Sequence, residues 1–525
     1  MTLDSSSETT VSGPRLGASP VPSAQGGTPG SLAQQTTSGF AWLLLQALGS
    51  RVVLIGSQLG LAALVSEAAF GVMAMAATAM AVTQLLQQFG LRSVLVQRSS
   101  KIRLWVADAQ HFAIAVGGIA AIVLAALAPA FAALYDEPAV TPLLLTLAPT
   151  ALLRAWANVA AAVLHVRMRF RDVAMVSFGE SASIAVVGLT LAWLGAEEFA
   201  LAVPVTLGAM LRCVLLYRLA GMSLTLRIRP RRWRMLISSG GKLFVSRIFV
   251  MVLQQADYAL LAIFHPAAVV GVYYYAFLIS MQTVRLLTVN IGGVLLPALS
   301  SMSGDPERAL RGFLRSLRLL ALLTVPAGLA QAALVEIVFD TLFPGRWENL
   351  GPIAQVLSLG MIVFAVTMIS GTLLESQRRY MTELVLAAIQ AVFFVCLVLF
   401  AAYKGAALEV AIAVAVYHSV VGPVRLYVAI RPSGGRWRDI AGVLAPTLLS
   451  GVGGGLSGLA AGRAVSGGWP LSEWGGSLVA VAVGLTVYAG LVLITCPSGV
   501  KELIAHGSAM ASRVLGRFGR GGPSQ

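Results

Sequence analysis

Charge is what this sequence has least of. Of 525 residues, 11% are Asp, Glu, Lys or Arg, against about 25% in soluble domains, which excludes an ordinary soluble enzyme. Acidic residues are the scarcer sign, 22 against 37 Lys and Arg. Cysteine is nearly absent. Cys213, Cys396 and Cys496 have no CxxC spacing and no histidine nearby in sequence, so neither a disulfide framework nor a zinc site is expected. There is no GxxxxGK[ST] and so no built-in ATPase, and neither a Ser/His/Asp set nor an HExxH motif. No stretch between the apolar blocks on the side assigned below as outer exceeds about fifteen residues. That leaves little room for the catalytic loops a membrane glycosyltransferase or glycan polymerase displays.

What fills the chain instead is hydrocarbon: 57% hydrophobic residues and a mean hydropathy of +0.83. Fourteen apolar blocks follow one another, at roughly 40–65, 70–90, 105–134, 139–164, 173–195, 199–220, 236–264, 268–299, 316–343, 351–374, 381–403, 406–430, 440–461 and 475–496. Each reaches the ~20 residues needed to span a bilayer as a helix. An all-α polytopic membrane protein is expected. The organisation expected is a disordered polar tail (1–37, without the h-region of a signal peptide), a six-helix lobe (38–235), a second six-helix lobe (236–439), spans 13 and 14 (440–496) and a basic tail (497–525).

The basic residues orient it. With the N-terminus in the cytoplasm, the inner segments hold 27 of the 37 Lys and Arg and the outer loops three, Arg346, Lys404 and Arg463. This is a strong positive-inside bias. It predicts both termini cytoplasmic in a plasma (inner) membrane, and it accounts for most of the +15 net charge with no nucleic-acid partner. Overlaid on itself with a shift of 200, the chain brings block one onto block seven and Gly71-Val72 onto Gly271-Val272. A parallel repeat about an axis along the membrane normal is expected.

Seven basic residues fall inside spans: Arg51, Arg154, Arg212, Lys242, Arg247, Arg285 and Arg425. Arg51, Arg154, Arg247 and Arg285 lie near mid-span, where exposure to lipid would cost the four together roughly 10–14 kcal/mol. They must face protein, water or carboxylates. The deep acids, Glu180 and Asp257, are too few to neutralise them. The expectation is a cationic central cavity for an anionic, phosphate-bearing substrate, which the planar guanidinium fork suits. Interhelical pairing, Arg247 with Asp257 or Arg51 with Glu180, is the structural alternative. Asp257 and Glu180 are equally candidates for a coupling proton or sodium ion; no other cofactor is expected. His111 and His418 read as side chains bonded to a neighbouring helix. Pro142, Pro149, Pro204, Pro326, Pro423 and Pro446 permit kinks. Gly451 and the run Gly453-Gly454-Gly455 suit either a close helix contact or a broken turn.

Four stretches carry a family resemblance: Phe89-Gly90-Leu91-Arg92-Ser93-Val94-Leu95-Val96-Gln97-Arg98 after block two; Gly271-Val272-Tyr273-Tyr274-Tyr275-Ala276; Leu296-Pro297-Ala298-Leu299-Ser300 with Arg308 to Arg318 and Pro326; and Gly345-Arg346-Trp347. In this order on a fourteen-span layout, residues 38–440 resemble the Wzx-type polysaccharide transporters, the oligosaccharide flippases. Their superfamily also holds multidrug extruders and lipid II flippases. The resemblance implies two lobes around a V-shaped cavity open alternately to each side. It implies a cargo of undecaprenyl-diphosphate-linked oligosaccharide, carried from inner to outer leaflet by a monomer working beside glycosyltransferases and a polymerase. The diphosphate would sit on Arg51, Arg154, Arg247 and Arg285. A drug/ion antiporter of the same superfamily, a lipid II flippase and a membrane enzyme are the competing readings. The antiporter calls for acids to outnumber arginines at mid-span, and the reverse is found.

Overall fold

The computed structural model describes residues 49–87, 102–222, 233–288, 291–302, 304–466 and 472–502, with Gln46, Ile504 and Ala505. The N-terminal tail, the Phe89–Arg98 stretch, Arg227 and its neighbours to Arg232, and the basic residues beyond Lys501 lie outside them. The helices are α1 (Gly49–Leu64), α2 (Glu67–Gln87), α3 (Ile102–Tyr135), α4 (Val140–Val166), α5 (Phe170–Trp193), α6 (Phe199–Ala220), α7 (Trp233–Phe264) and α8 (Ala267–Thr288), then α9 (Ile291–Ser301), α10 (Pro306–Leu342), α11 (Leu350–Thr367), α12 (Ser370–Ser376), α13 (Tyr380–Lys404), α14 (Ala407–Ile430), α15 (Trp437–Ser466) and α16 (Ser472–Thr495).

Among the described residues, thirteen helical stretches are long and apolar enough to cross a membrane, and α1 is a shorter apolar helix. The fold is thus the all-helical multi-pass architecture the apolar blocks predict. Block edges moved where local chemistry outweighs hydropathy. Block nine begins ten residues early, at Pro306, because Asp305 caps it. The Asp305 carboxylate accepts the Arg308 backbone N–H at 3.0 Å, and proline occupies the first turn, the position where its missing donor costs nothing. The run Arg308 to Arg318 is therefore helical, with Arg315 paired to Glu502 at 3.0 Å. Block eight divides into α8 and α9. The helices run on through Pro149, Pro204, Pro326, Pro423 and Pro446.

The repeat is visible in element lengths and turn chemistry. α2 and α8 start at Glu67 and Ala267, 200 residues apart, but the offset grows to 210 by α5 and α13, which start at Phe170 and Tyr380. The single shift of 200 thus holds only for the first helices of each half. The turns before α5 and α13 match in detail. Met168 and Arg378 are both left-handed, at φ 57°. Met168 N–H and Arg378 N–H each donate three residues back, and Arg169 N–H and Arg379 N–H each donate five residues back.

Two compact units are distinguished, one of residues 1–64, 82–130 and 141–244, the other of 65–81, 131–140 and 245–525. The first packs small residues of α3 and α4 (Ala109, Ala113, Ala157, Ala160) against Val173, Cys213 and Leu216 of α5 and α6. Two arginines close its α6 C-terminus. Arg167 donates to Ala220 O at 2.7 Å and Arg169 to Leu219 O at 2.8 Å, pairing carbonyls a helix end leaves open. The second unit has its core at Phe313, Leu317, Leu373, Leu426 and Ile430. There α15 runs unbroken through its glycines. A Cβ on Gly454 would stand 2.6 Å from Gly484 O, and one on Gly458 2.3 Å from Ala480 O, so these residues serve close contact with α16, the small-residue packing of membrane helices. The outward faces carry Trp193 at 77% and Ile494 at 79% exposure, a pattern suited to lipid rather than water.

Candidate functional site

The predicted residues divide between the units: Arg51, Arg154 and Glu180 in the first, Arg247, Asp257 and Arg285 in the second. In the first unit, Arg154 of α4 is half-buried, and its Nε is enclosed without a hydrogen-bond partner among the described residues. Arg51 of α1 is half-buried and engaged in contacts of its own. The ion pair observed for Glu180 is with Arg212 of α6, Nη1 to Oε2 at 2.8 Å, and the same nitrogen reaches Ser177 Oγ at 3.1 Å. Sequence offered Arg51 as its partner. The antiparallel pairing of α5 with α6 brings up Arg212 instead, and linear spacing carries no signal for that.

The second unit holds a counterpart. Arg425 of α14 is paired with Glu383 of α13, and donates to Ser370 Oγ at 3.0 Å and Gln390 Oε1 at 3.1 Å. Arg212 and Arg425 are thus neutralised within their own helix hairpins. Removing a carboxylate from such a pair strands a cation. Glu180→Gln is expected to cost about 1–3 kcal/mol of stability, discounted for partial exposure, read as a lowered melting midpoint of detergent-solubilised protein. A gradient-dependent transport rate should be unaffected once protein amount is matched.

Asp257 of α7 is buried, at 2% exposure, and the partners observed for it are neutral. The Tyr273 hydroxyl donates to Oδ2 at 2.9 Å, and the Tyr258 backbone N–H donates to Oδ1 at 3.0 Å. Arg247, on the same helix and exposed, is not among them, so the Arg247–Asp257 pair of the structural alternative is not found among the described residues. Tyr258 also packs edge-on to Tyr274 and Phe277, at 5.5 and 5.6 Å between ring centres. Arg285 lies in the last turn of α8, on the same face as Tyr274. Neither Arg247 nor Arg285 has a carboxylate at ion-pair distance among the described residues. The tyrosines around Asp257 were in view in the sequence as a Tyr-Tyr-Tyr run; which of them faces the acid is decided by the α7–α8 hairpin. The Lys242 side chain lies outside the described residues. His111 bonds Ala107 O of its own helix at 2.8 Å, not a neighbouring helix. His418 packs at a tilt against Phe364 of α11, ring centres 4.7 Å apart.

A feature sequence reasoning missed is a buried seam of neutral polar side chains joining α8, α10 and α11. Ser280 Oγ donates to Ala354 O at 3.1 Å, Ser358 Oγ donates to Ser280 Oγ at 3.2 Å, and Gln331 Nε2 donates to Ile279 O at 3.0 Å and Ser358 Oγ at 3.1 Å. Single Ser and Gln residues in apolar blocks give no pattern to read.

The second unit contains a groove of about 600 Å³ between α10, α11, α15 and α16, within the range of small-molecule sites. Its walls are Leu329, Leu359, Ile362, Val452, Gly455 and Leu456, with Tyr488 at one end. Glu336, Gln355, Arg463 and Ser477 stand near the other, where α10 and α15 finish. It runs ~20 Å along α15, at 1.5 Å per residue.

A family profile described as polysaccharide biosynthesis protein matches residues 61–352. The lipopolysaccharide biosynthesis protein WzxC of Escherichia coli (strain K12) is 22% identical over 359 residues, 66% of this chain and 71% of WzxC. Among solved structures, lipid II flippase MurJ in an inward closed conformation superposes with a TM-score of 0.70 at 12% identity, covering 86% of this chain and 98% of MurJ. An inward-facing multidrug resistance MATE family transporter of the MOP superfamily gives 0.57 at 14% identity over 75% of this chain and 94% of that one. At such identities these likenesses speak for the fold, while the profile, spanning more than half of the chain, speaks for the family. The chain belongs to the polysaccharide biosynthesis protein family and is a multi-pass membrane protein whose fold is that of MurJ and of the MATE family transporter.

Proposed function

We propose that this protein is a flippase that carries a polyprenyl-diphosphate-linked oligosaccharide from the inner to the outer leaflet of the cytoplasmic membrane, by alternating access, with both termini in the cytoplasm. The observation that carries the cargo class is the apolar groove. A channel ~20 Å long, walled mostly by aliphatic side chains and glycine, is suited to a lipid chain.

The head group is assigned to the deep arginines Arg51, Arg154, Arg247 and Arg285. Arg154 keeps an enclosed Nε without a partner, and Arg247 and Arg285 stand without carboxylates among the described residues. A diphosphate would supply the acceptors, two oxygens to each guanidinium. Asp257 is assigned to a coupling proton or sodium ion. Its oxygens meet neutral donors, so a bound cation cancels a charge that the surroundings leave uncompensated. Glu180, already matched by Arg212, has less to offer such an ion. Glycosyltransferases and a polymerase would supply and consume the cargo on opposite faces.

The test is leaflet accessibility of a fluorescent polyprenyl-diphosphate disaccharide in proteoliposomes, with and without an imposed proton or sodium gradient. Protein-dependent loss of inner-leaflet label is expected; no movement under any gradient would refute the assignment. Filling the groove with Gly455→Trp is expected to slow translocation at least tenfold while leaving the melting midpoint near that of the parent. Gly455 faces the cavity, and the nearest contact for an added Cβ is the mobile end of Leu329 at 3.6 Å.

A further inference from the structure

The start of α2 is held in the second unit by three kinds of contact. The first is a reciprocal glycine crossing. A Cβ on Gly71 would stand 1.8 Å from Ala267 O of α8, and a Cβ on Gly271 would stand 1.8 Å from Glu67 O of α2. Each contact is the other shifted by 200 residues, so the two repeats present the same small surface to each other and α2 lies against α8 backbone to backbone. The second is a pair of hydrogen bonds from the α10–α11 loop. Glu67 Oε1 accepts the Trp347 backbone N–H at 2.7 Å, and Arg346 Nη2 donates to Val65 O at 2.9 Å. The third is an aromatic box. The Trp347 ring stacks on Tyr275 at 4.6 Å and meets Phe70 edge-on at 5.3 Å, while Phe70 and Tyr275 are 5.0 Å apart.

The loop that makes these contacts is strained. Trp347 and Asn349 are left-handed without being glycine, at φ 59° and 65°, a conformation that persists only where surrounding contacts over-determine it. Trp347 is nonetheless buried, at 3% exposure. Meanwhile α2 is divided: residues 65–81 group with the second unit and its remaining residues with the first. A helix shared in this way has to be held or released when either unit rearranges.

We propose that the α10–α11 loop is a latch. Trp347 and Arg346 clamp Glu67 and the first turns of α2 against α8, and their release exposes the α2–α8 seam. The clamp lies at the end of the spans that the arginine distribution assigns to the outside. It rests on the transporter fold and not on the cargo. The loop holds α2 by two hydrogen bonds and the Trp347 aromatic contacts, and α2 meets α8 by small-residue packing.

The test uses full-length protein in proteoliposomes with Cys396 replaced by alanine and a reporter cysteine at Met75, one turn into the α2–α8 contact and 1% exposed. The probe is a membrane-impermeant maleimide. Labelling of Met75→Cys is expected to be slow in the parent and at least tenfold faster in Glu67→Met, which removes the acceptor of the Trp347 N–H, and in Gly71→Leu. A second reporter, Ala429→Cys, at 0% exposure elsewhere in the unit, is expected to keep its parental rate in both. No acceleration at Met75 in Glu67→Met would overturn the proposal, as would equal acceleration at both reporters, which marks a loosened fold. Glu67→Met nearly keeps the volume of the side chain and answers the question even where Gly71→Leu does not assemble. No cargo is needed, so failure here is separate from failure of the flippase assignment.

Discussion

Arg285→Glu is expected to abolish glycan export, by more than a hundredfold in a leaflet-accessibility assay at matched protein amount. Arg285 sits in the last turn of α8, half-buried and without a carboxylate partner among the described residues. A guanidinium bound to phosphate makes two charge-assisted hydrogen bonds, worth about 1.5–3 kcal/mol each. Losing both removes about 3–6 kcal/mol, and every 1.4 kcal/mol is tenfold. Reversal adds repulsion between carboxylate and diphosphate on top. Arg285→Lys keeps the charge but loses the fork, so an intermediate loss is expected. Arg311→Glu serves as the control. Arg311 is exposed on the first turns of α10, with Glu307 as its ion partner at 3.5 Å, and its reversal should leave transport within about twofold, as surface pairs contribute little. Full export by Arg285→Glu would remove this residue from the cargo site.

Asp257→Asn is expected to disconnect transport from the ion gradient. One charge carried through a 100 mV potential is worth about 2.3 kcal/mol, or roughly fifty-fold in the accumulation ratio. That ratio should fall to near one in Asp257→Asn, while movement of cargo down its own gradient continues. The substitution is nearly isosteric, and the amide can still accept from the Tyr273 hydroxyl, so the fold should survive. The comparison with Glu180→Gln is informative. That change strands Arg212 and should lower stability while leaving the gradient response intact. If Asp257→Asn keeps the full gradient response, the coupling ion binds elsewhere.

The two acids looked alike in the sequence, one carboxylate in each of two spans of opposite lobes. What separates them is the neighbouring helix. α6 presents Arg212 to Glu180, whereas α8 presents Tyr273 to Asp257. Helix–helix azimuth fixes such partners, and in an apolar segment with weak amphipathic character no sequence period announces the azimuth. The same limit hid the polar seam of Ser280, Gln331 and Ser358.

The groove was partly in view, since Gly453-Gly454-Gly455 suggested close approach. That α15 and α16 should lean on α10 and leave about 600 Å³ beside them needed the packed helices. The glycine pair at 71 and 271 was legible as a repeat register but not as a contact. Its two members meet because the repeat folds them onto each other, with each Cα against the other helix's backbone.

Sequence by itself determined the class of this protein, an all-helical multi-pass membrane chain. Spans must be long and apolar because hydrocarbon satisfies no backbone polar group. That effect is one-dimensional and can be counted along the chain. Tertiary structure alone decided which charges are cancelled, which acid is left with neutral donors, and where α2 is clamped. Those outcomes depend on distances of 3 Å between residues far apart in the chain, and in membranes such contacts are set by side-chain fit between helices rather than by a burial gradient that the sequence could display.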